Sequence, residues 1–245
     1  MKNGSLVDMT RFEQSDIDDH FINYRLSWQQ VLLIVGDPQN PVSKTLVLTV
    51  SGRLLKINQP LRIMIKEFFD RHDLDDDHNW AYYQYCSLQG RTRSAVAGRY
   101  RMVPTCSPRS RQVYWIMAHH LNSWHKHERG TLLIFASDGQ PSRQLQVLLD
   151  VSPRKLESNL AAADIVSAFQ LQMLEYEQYL KGSELTSIRP DDFARLNQLQ
   201  EQSRGYNITY QQRRWDHCNR NVYGEGLADE MLREMNKPFP PLSPY

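Results

Sequence analysis

The sequence is sparing with cysteine and has no long apolar run. Its three cysteines (Cys86, Cys106, Cys218) are an odd number with no close pair. No disulfide framework is expected, and a reduced, cytoplasmic protein is. The longest apolar run, Val31-Leu32-Leu33-Ile34-Val35, falls far short of the roughly 18 residues a membrane span needs, so no membrane association is expected. Met1-Lys2-Asn3-Gly4-Ser5 leads straight into Asp8, Glu13, Asp16, Asp18 and Asp19 with no apolar core, which argues against a secretory signal. A Gly-x-Ser-x-Gly elbow, a Walker loop, Gly-x-Gly-x-x-Gly and Cys-x-x-Cys are all missing. The expectation is a non-enzyme with no catalytic residues and no cofactor. Twelve prolines and eleven glycines are too few for a collagen-like or low-complexity chain. What remains is an ordinary globular composition: 245 residues, 40% hydrophobic, enough for one large domain or a domain of about 180 residues plus a tail.

The formal net charge of +1 conceals segregation. Between Gln84 and Arg129 there are eight basic residues and one acid, Glu128, while acids gather in the N-terminus and in Asp70 to Asp77. Arg91, Arg93, Arg99, Arg101, Arg109 and Arg111 fall within 21 residues that contain no acid and no lysine. The choice of arginine is physical. A planar, weakly hydrated guanidinium can fork onto two phosphate oxygens or enter a narrow groove, which a hydrated ammonium does poorly. Small neighbours such as Gly90, Ser94, Ala95, Ala97 and Gly98 leave room for a polyanion to approach. The bland alternative is a solvated basic loop pairing with Asp73 to Asp77.

Apolar spacing predicts strands at Val31–Val35, Lys44–Val50, Arg53–Ile57, Val113–Met117, Thr131–Phe135 and Gln144–Val151, the last two joined as a hairpin through 137–142. Asn58 before Gln59-Pro60 reads as a helix cap, followed by Leu61, Met64, Ile65, Phe68 and Phe69 at helical spacing. Asp73 to Asp77 reads as an acidic loop, and 90–112 as a loop or a short helix between loops. Pro153 opens a long helix to about Lys181, with Gly182 as its stop. Beyond it, a short helix is expected from Pro190-Asp191-Asp192 to near Gly205, then an aromatic and basic segment Tyr206–Tyr223, then a last short helix marked by Leu227, Met231 and Met235 before the proline-rich end. The fold class expected is α+β: a β-rich N-terminal half with antiparallel strands, a long helix at about 153–181 and a helical tail. The divisions are an acidic segment 1–30, a core 31–181 and a tail 182–245.

Two other constellations carry chemistry on paper. His119-His120 and His125-Lys126-His127 could join Asp75, Asp76, Asp77 and His78 in a metal-dependent nuclease. Lys126 and Arg129 beside the histidines oppose a cation, however, so no metal ligand is expected. Arg204 to Tyr223 interleaves arginines with aromatics, which suits base stacking or docking onto a protein partner. A protein-interaction module with a basic face therefore stays open beside the nuclease.

Cys86-Ser87-Leu88-Gln89-Gly90-Arg91 through Ala97-Gly98-Arg99 resembles the small-residue Cys…Gly-Ser-Ser…Gly-Arg stretch of the bacterial competence transcription factor (ComK) family. Pro60-Leu61-Arg62-Ile63 resembles that family's Lys-Pro-Leu helix. Trp124, Asp138-Gly139 and Val151-Ser152 follow in the family's order. The resemblance spans about residues 25–180, with Asp70–Tyr85 standing as an insertion. It implies a cytoplasmic, nucleoid-associated activator of DNA-uptake genes that binds AT-rich double-stranded DNA largely through the minor groove, as dimers or tetramers. It also implies an adaptor that delivers family members to a Clp-type protease. Gly90, Arg91, Gly98 and Arg99 are the matching DNA-contact positions; composition adds Arg93, Arg101, Arg109 and Arg111, and Lys126 joins Arg109 and Arg111 as a phosphate contact.

Overall fold

The computed structural model describes residues 6–107, 110, 112–136, 144–184, 186–189 and 192–223. Among them the elements run β1 (Leu6–Asp8), β2 (Asp19–Phe21), β3 (Val31–Gly36), β4 (Thr45–Thr49), β5 (Leu54–Ile57), α1 (Leu61–Arg71) and α2 (Asp76–Tyr85). Then come β6 (Ala95–Ala97), β7 (Tyr100–Pro104), β8 (Tyr114–Met117), β9 (Leu121–His127), β10 (Gly130–Ala136), β11 (Gln144–Leu149), α3 (Pro153–Leu180) and α4 (Phe193–Tyr223). The fold is α+β, β-rich in its N-terminal half and helical towards its C-terminus. No helix among the described residues is long and apolar enough to cross a membrane.

The chain forms two compact units: Met1–Asp75 with Gly90–Gln170, and Asp76–Gln89 with Leu171–Tyr245. The first holds both sheets. A seven-stranded sheet has the order β2-β5-β4-β3-β8-β7-β6, and a four-stranded sheet the order β1-β11-β10-β9. Most neighbours are antiparallel; β1 on β11 and β2 on β5 are parallel. The strand β3 is buried at Val31 through Val35 because both of its faces are covered. Leu33 and Val35 pack with Leu133, Phe135, Val147 and Leu149 of the second sheet and Leu156 of α3. Val31 and Ile34 pack with Met64, Ile65 and Phe68 of α1. A strand covered on both sides reads as a continuous apolar run rather than an alternation. Lys56 and Asp37 meet at 2.7 Å within this unit, both buried, a pair whose separation would strand a charge in the core.

Several local expectations need correction. Residues 90–112 are not simply loop: they contain β6 and β7. The polar stretch Leu121–His127 is strand β9, an edge of the four-stranded sheet. The acidic loop ends early, because Asp76 and Asp77 form the first turn of α2, where carboxylates favour the helix N-terminus. Asn58 does not cap α1. Its amide donates to Phe21 O at 2.9 Å, and Pro60 takes the cap position. The acidic N-terminal segment supplies β1 and β2, one to each sheet.

The second unit is built from α2, the later part of α3 and α4. Gly182 (φ +69°) ends α3, with Gly182 N–H donating to Tyr179 O and Ser183 N–H to Gln178 O at 2.9 Å, the left-handed C-terminal stop its sequence position predicts. Asp192 caps α4 through Arg195 N at 3.2 Å. The helix then continues unbroken past Gly205 to Tyr223. A Cβ at Gly205 would sit 2.8 Å from Tyr85 Cε2, so this glycine is a notch for the α2 ring rather than a helix stop. The expected helix at Leu227–Met235, the proline-rich end and the turn 137–142 lie outside the described residues.

Candidate nucleic-acid interface

Residues 95–104 of the acid-free arginine stretch fold into a hairpin at the end of the seven-stranded sheet. Ala95, Val96 and Ala97 of β6 pair antiparallel with Met102, Arg101 and Tyr100 of β7. Two residues, Gly98 and Arg99, make the turn, and Gly98 has φ +57° while Arg99 does not enter the positive-φ region. Glycine at the first central position with an ordinary residue after it is the type II′ pattern, which matches the twist of a two-residue hairpin. Arg99 therefore stands at the tip. It is exposed and makes no hydrogen bond or ion pair among the described residues.

One side of the hairpin is laced to α3. Gly98 N–H donates to Gln170 Oε1 at 2.7 Å, Ser167 Oγ donates to Gly98 O at 2.7 Å, and Gln170 Nε2 donates to Val96 O at 3.1 Å. Asn159 Nδ2 donates to Pro104 O at 2.7 Å in a buried position. The other side rests on an aromatic cluster. Tyr100 stacks on Trp28 with centroids 5.5 Å apart and meets His119 edge-on at 5.1 Å. A carbonyl can only accept, so His119 and His120 both donate Nε2–H to Trp28 O, at 2.8 and 2.7 Å. Burial drives the His119 pKa down to about 4, and the neutral ring's Nδ1 faces Arg101 N–H at 3.4 Å.

The site residues read from sequence divide into groups. Gly90 (φ +77°) and Arg91 are exposed ahead of β6, and Arg91 Nη1 donates to Ser158 Oγ. Arg93 is half-buried. Arg101 forms an ion pair with Asp164 of α3, its side chain only a quarter exposed, and burial pulls its pKa down. Lys126 is exposed on β9, in the other sheet. Arg109 and Arg111 lie outside the described residues. The fold thus brings Gly98, Arg99 and Arg101 to one hairpin braced by one helix, ties Arg91, ahead of that hairpin, to the same helix, and leaves Lys126 apart. Sequence reasoning missed Ser167, Gln170 and Tyr100. The signal for the hairpin was Ala-Val-Ala-Gly-Arg-Tyr-Arg, a Gly-X turn between two short strands.

Several of the histidines and acids singled out for metal chemistry, among them His78, Asp77, His119 and His120, are committed elsewhere. Besides the Trp28 contacts, Asp77 accepts from Arg213 Nε at 3.0 Å and from His217 Nδ1 at 2.7 Å. Among the described residues no group of three or more His, Cys, Asp or Glu is placed to hold a metal ion. The aromatic and basic tail segment is the second half of α4. Arg213 also lies over the Trp80 ring at 5.0 Å, Arg220 pairs with Asp216 at 2.9 Å, and Arg214 lies over Tyr210 at 5.8 Å. A groove of about 640 Å³ runs between Tyr176 and Leu180 of α3 and Arg204, Ile208 and Trp215 of α4. No family model, curated protein or solved structure matches the chain.

Proposed function

We propose that this chain binds double-stranded DNA with a preference for AT-rich sites and acts as a transcriptional activator of the competence type, without catalysis. The observation that carries the reading is Arg99: a guanidinium at a braced hairpin tip, exposed, with no carboxylate on it among the described residues. Arg99 and Arg91 enter the narrow minor groove of A·T tracts, where negative potential draws guanidinium groups. Gly90 and Gly98 present no side chain at the point of approach. Lys126, Arg109 and Arg111 hold phosphates, which set register without reading bases. Arg93 lines the approach. Arg101 joins by exchanging Asp164 for a phosphate. The resemblance to the competence family supports the same class of target, a cytoplasmic, nucleoid-associated site of action, binding as a dimer or tetramer, and control by a protease adaptor.

Fluorescence anisotropy on AT-rich and GC-rich duplexes over a salt series tests this. The AT-rich duplex binds more tightly, and the logarithm of affinity falls with the logarithm of salt by several units if about four to six phosphates are neutralised. Arg99→Ala weakens the AT-rich complex by about tenfold and the GC-rich one less. Binding to neither duplex, or a flat salt response, overturns the proposal.

A further inference from the structure

A two-residue turn that must deliver one arginine into a groove is useful only if its tip is held still. The free edge of β6 and the turn itself carry backbone groups that the sheet leaves without strand partners, because β6 is the last strand in its sheet. Those groups do not face solvent by default. The Gln170 carboxamide accepts from Gly98 N–H and donates to Val96 O, as an adjoining strand would, and the buried Ser167 hydroxyl donates to Gly98 O. Both carbonyl and amide of Gly98 are thereby fixed by side chains one turn apart on α3, a helix itself anchored in the core by Leu156 and Val166. Neither side chain is at the tip.

We propose that Ser167 and Gln170 are positioning residues for DNA recognition: their side-chain hydrogen bonds to Gly98 and Val96 stand in for a missing β-strand and fix the turn that presents Arg99. This rests on the DNA-binding reading above and adds to it a pair of residues, on a different element, that set affinity through Arg99 without touching DNA. Pre-organising a binding loop raises affinity by removing the ordering cost at the moment of contact.

The test combines hydrogen exchange with a double-mutant cycle. In the free protein, Gln170→Leu speeds exchange of the Gly98 amide while the amides of β3, β4 and β8 keep their protection. On the AT-rich duplex Gln170→Leu and Ser167→Ala each weaken binding by about fivefold, and Ser167→Thr, which keeps the hydroxyl, restores most of the affinity. In an Arg99→Ala background Gln170→Leu costs almost nothing further, since the residue it positions is gone. Unchanged exchange at Gly98, or losses that simply add with Arg99→Ala, overturns the positioning role while leaving DNA binding standing. A wild-type protein that binds no duplex overturns both. A Gln170→Leu protein that has lost protection throughout the sheets marks a fold defect, and the cycle is then read from Ser167→Ala and Ser167→Thr; no rescue by threonine overturns the proposal.

Discussion

Arg99 and Arg213 are the same residue type, each in an arginine-rich stretch, yet among the described residues only Arg213 is spoken for. At the hairpin tip the described residues supply no acid to Arg99, and the nearest ordering groups, Ser167 and Gln170, act on the backbone and leave the guanidinium alone. In α4 the Arg213 guanidinium meets the buried Asp77 carboxylate and the Trp80 ring, and Arg195 pairs with Glu175 at 3.0 Å. Arg101 sits between the two cases, in the hairpin but paired with Asp164. Local density of positive charge therefore says little about availability. The deciding carboxylate lies 136 positions away in the chain for Arg213 and 63 away for Arg101, distances over which a linear reading has no purchase.

The comparison can be broken most sharply at Asp77. Asp77→Ala removes the carboxylate that holds Arg213 and His217 to α2 and leaves Arg213 only the more distant Asp216 at 3.8 Å, and a loss of about 2 kcal/mol of unfolding free energy is expected by urea titration. Duplex binding by the hairpin should survive at concentrations of denaturant that leave the protein folded. Gly205 gives a smaller effect with a change of sign. Gly205→Ala should destabilise by about 1 kcal/mol, since the clash with Tyr85 exceeds the gain in helix propensity. In a Tyr85→Ala background the same change should stabilise by about the propensity difference, ~1 kcal/mol.

A pH titration probes the hairpin's aromatic side. His119 has its folded pKa depressed from 6.5 to about 4 by burial, so between those values the unfolded chain binds a proton that the folded one refuses. Stability is therefore full above pH 6.5 and falls as the pH drops towards about 4. His119→Gln should flatten that part of the stability profile, read from urea midpoints at each pH. The smallest effect is the most discriminating. Arg99→Ala should change unfolding free energy by less than about 0.5 kcal/mol, whereas a loss comparable to that of Asp77→Ala would put Arg99 in the structural class and erase the contrast.

Much of the architecture could be read directly. The run Val31–Val35 announced a strand, Leu61, Met64, Ile65 and Phe68 announced the helical spacing of α1, and Pro153 with Gly182 bracketed α3 to within about a residue. The errors share a cause. The β6–β7 hairpin is stabilised by groups on α3 rather than by its own apolar pattern, so three-residue β6 looked like loop. β9 is a half-exposed edge strand of mostly polar residues and has no core periodicity to detect. Gly205 looked like a helix terminator because its partner, Tyr85, is 120 positions upstream. At the candidate site, the arginines and flanking glycines were visible as residue types. Which of them would be covered was not, because Ser158, Asp164, Ser167 and Gln170 carry no signature until α3 is laid alongside.

The discontinuity of the second unit has a bearing on biosynthesis. Helix α2 leaves the ribosome more than 100 residues ahead of α4, which stacks Tyr206 on Tyr82 at 4.3 Å and sets Tyr206 Oη 2.7 Å from His78 Nδ1. At ~5–20 residues per second, nascent α2 waits ~5–20 s for its packing surface, its rings of Trp80, Tyr82 and Tyr85 uncovered meanwhile. Until α4 emerges, those rings add to the apolar surface that the growing polypeptide must keep from its neighbours.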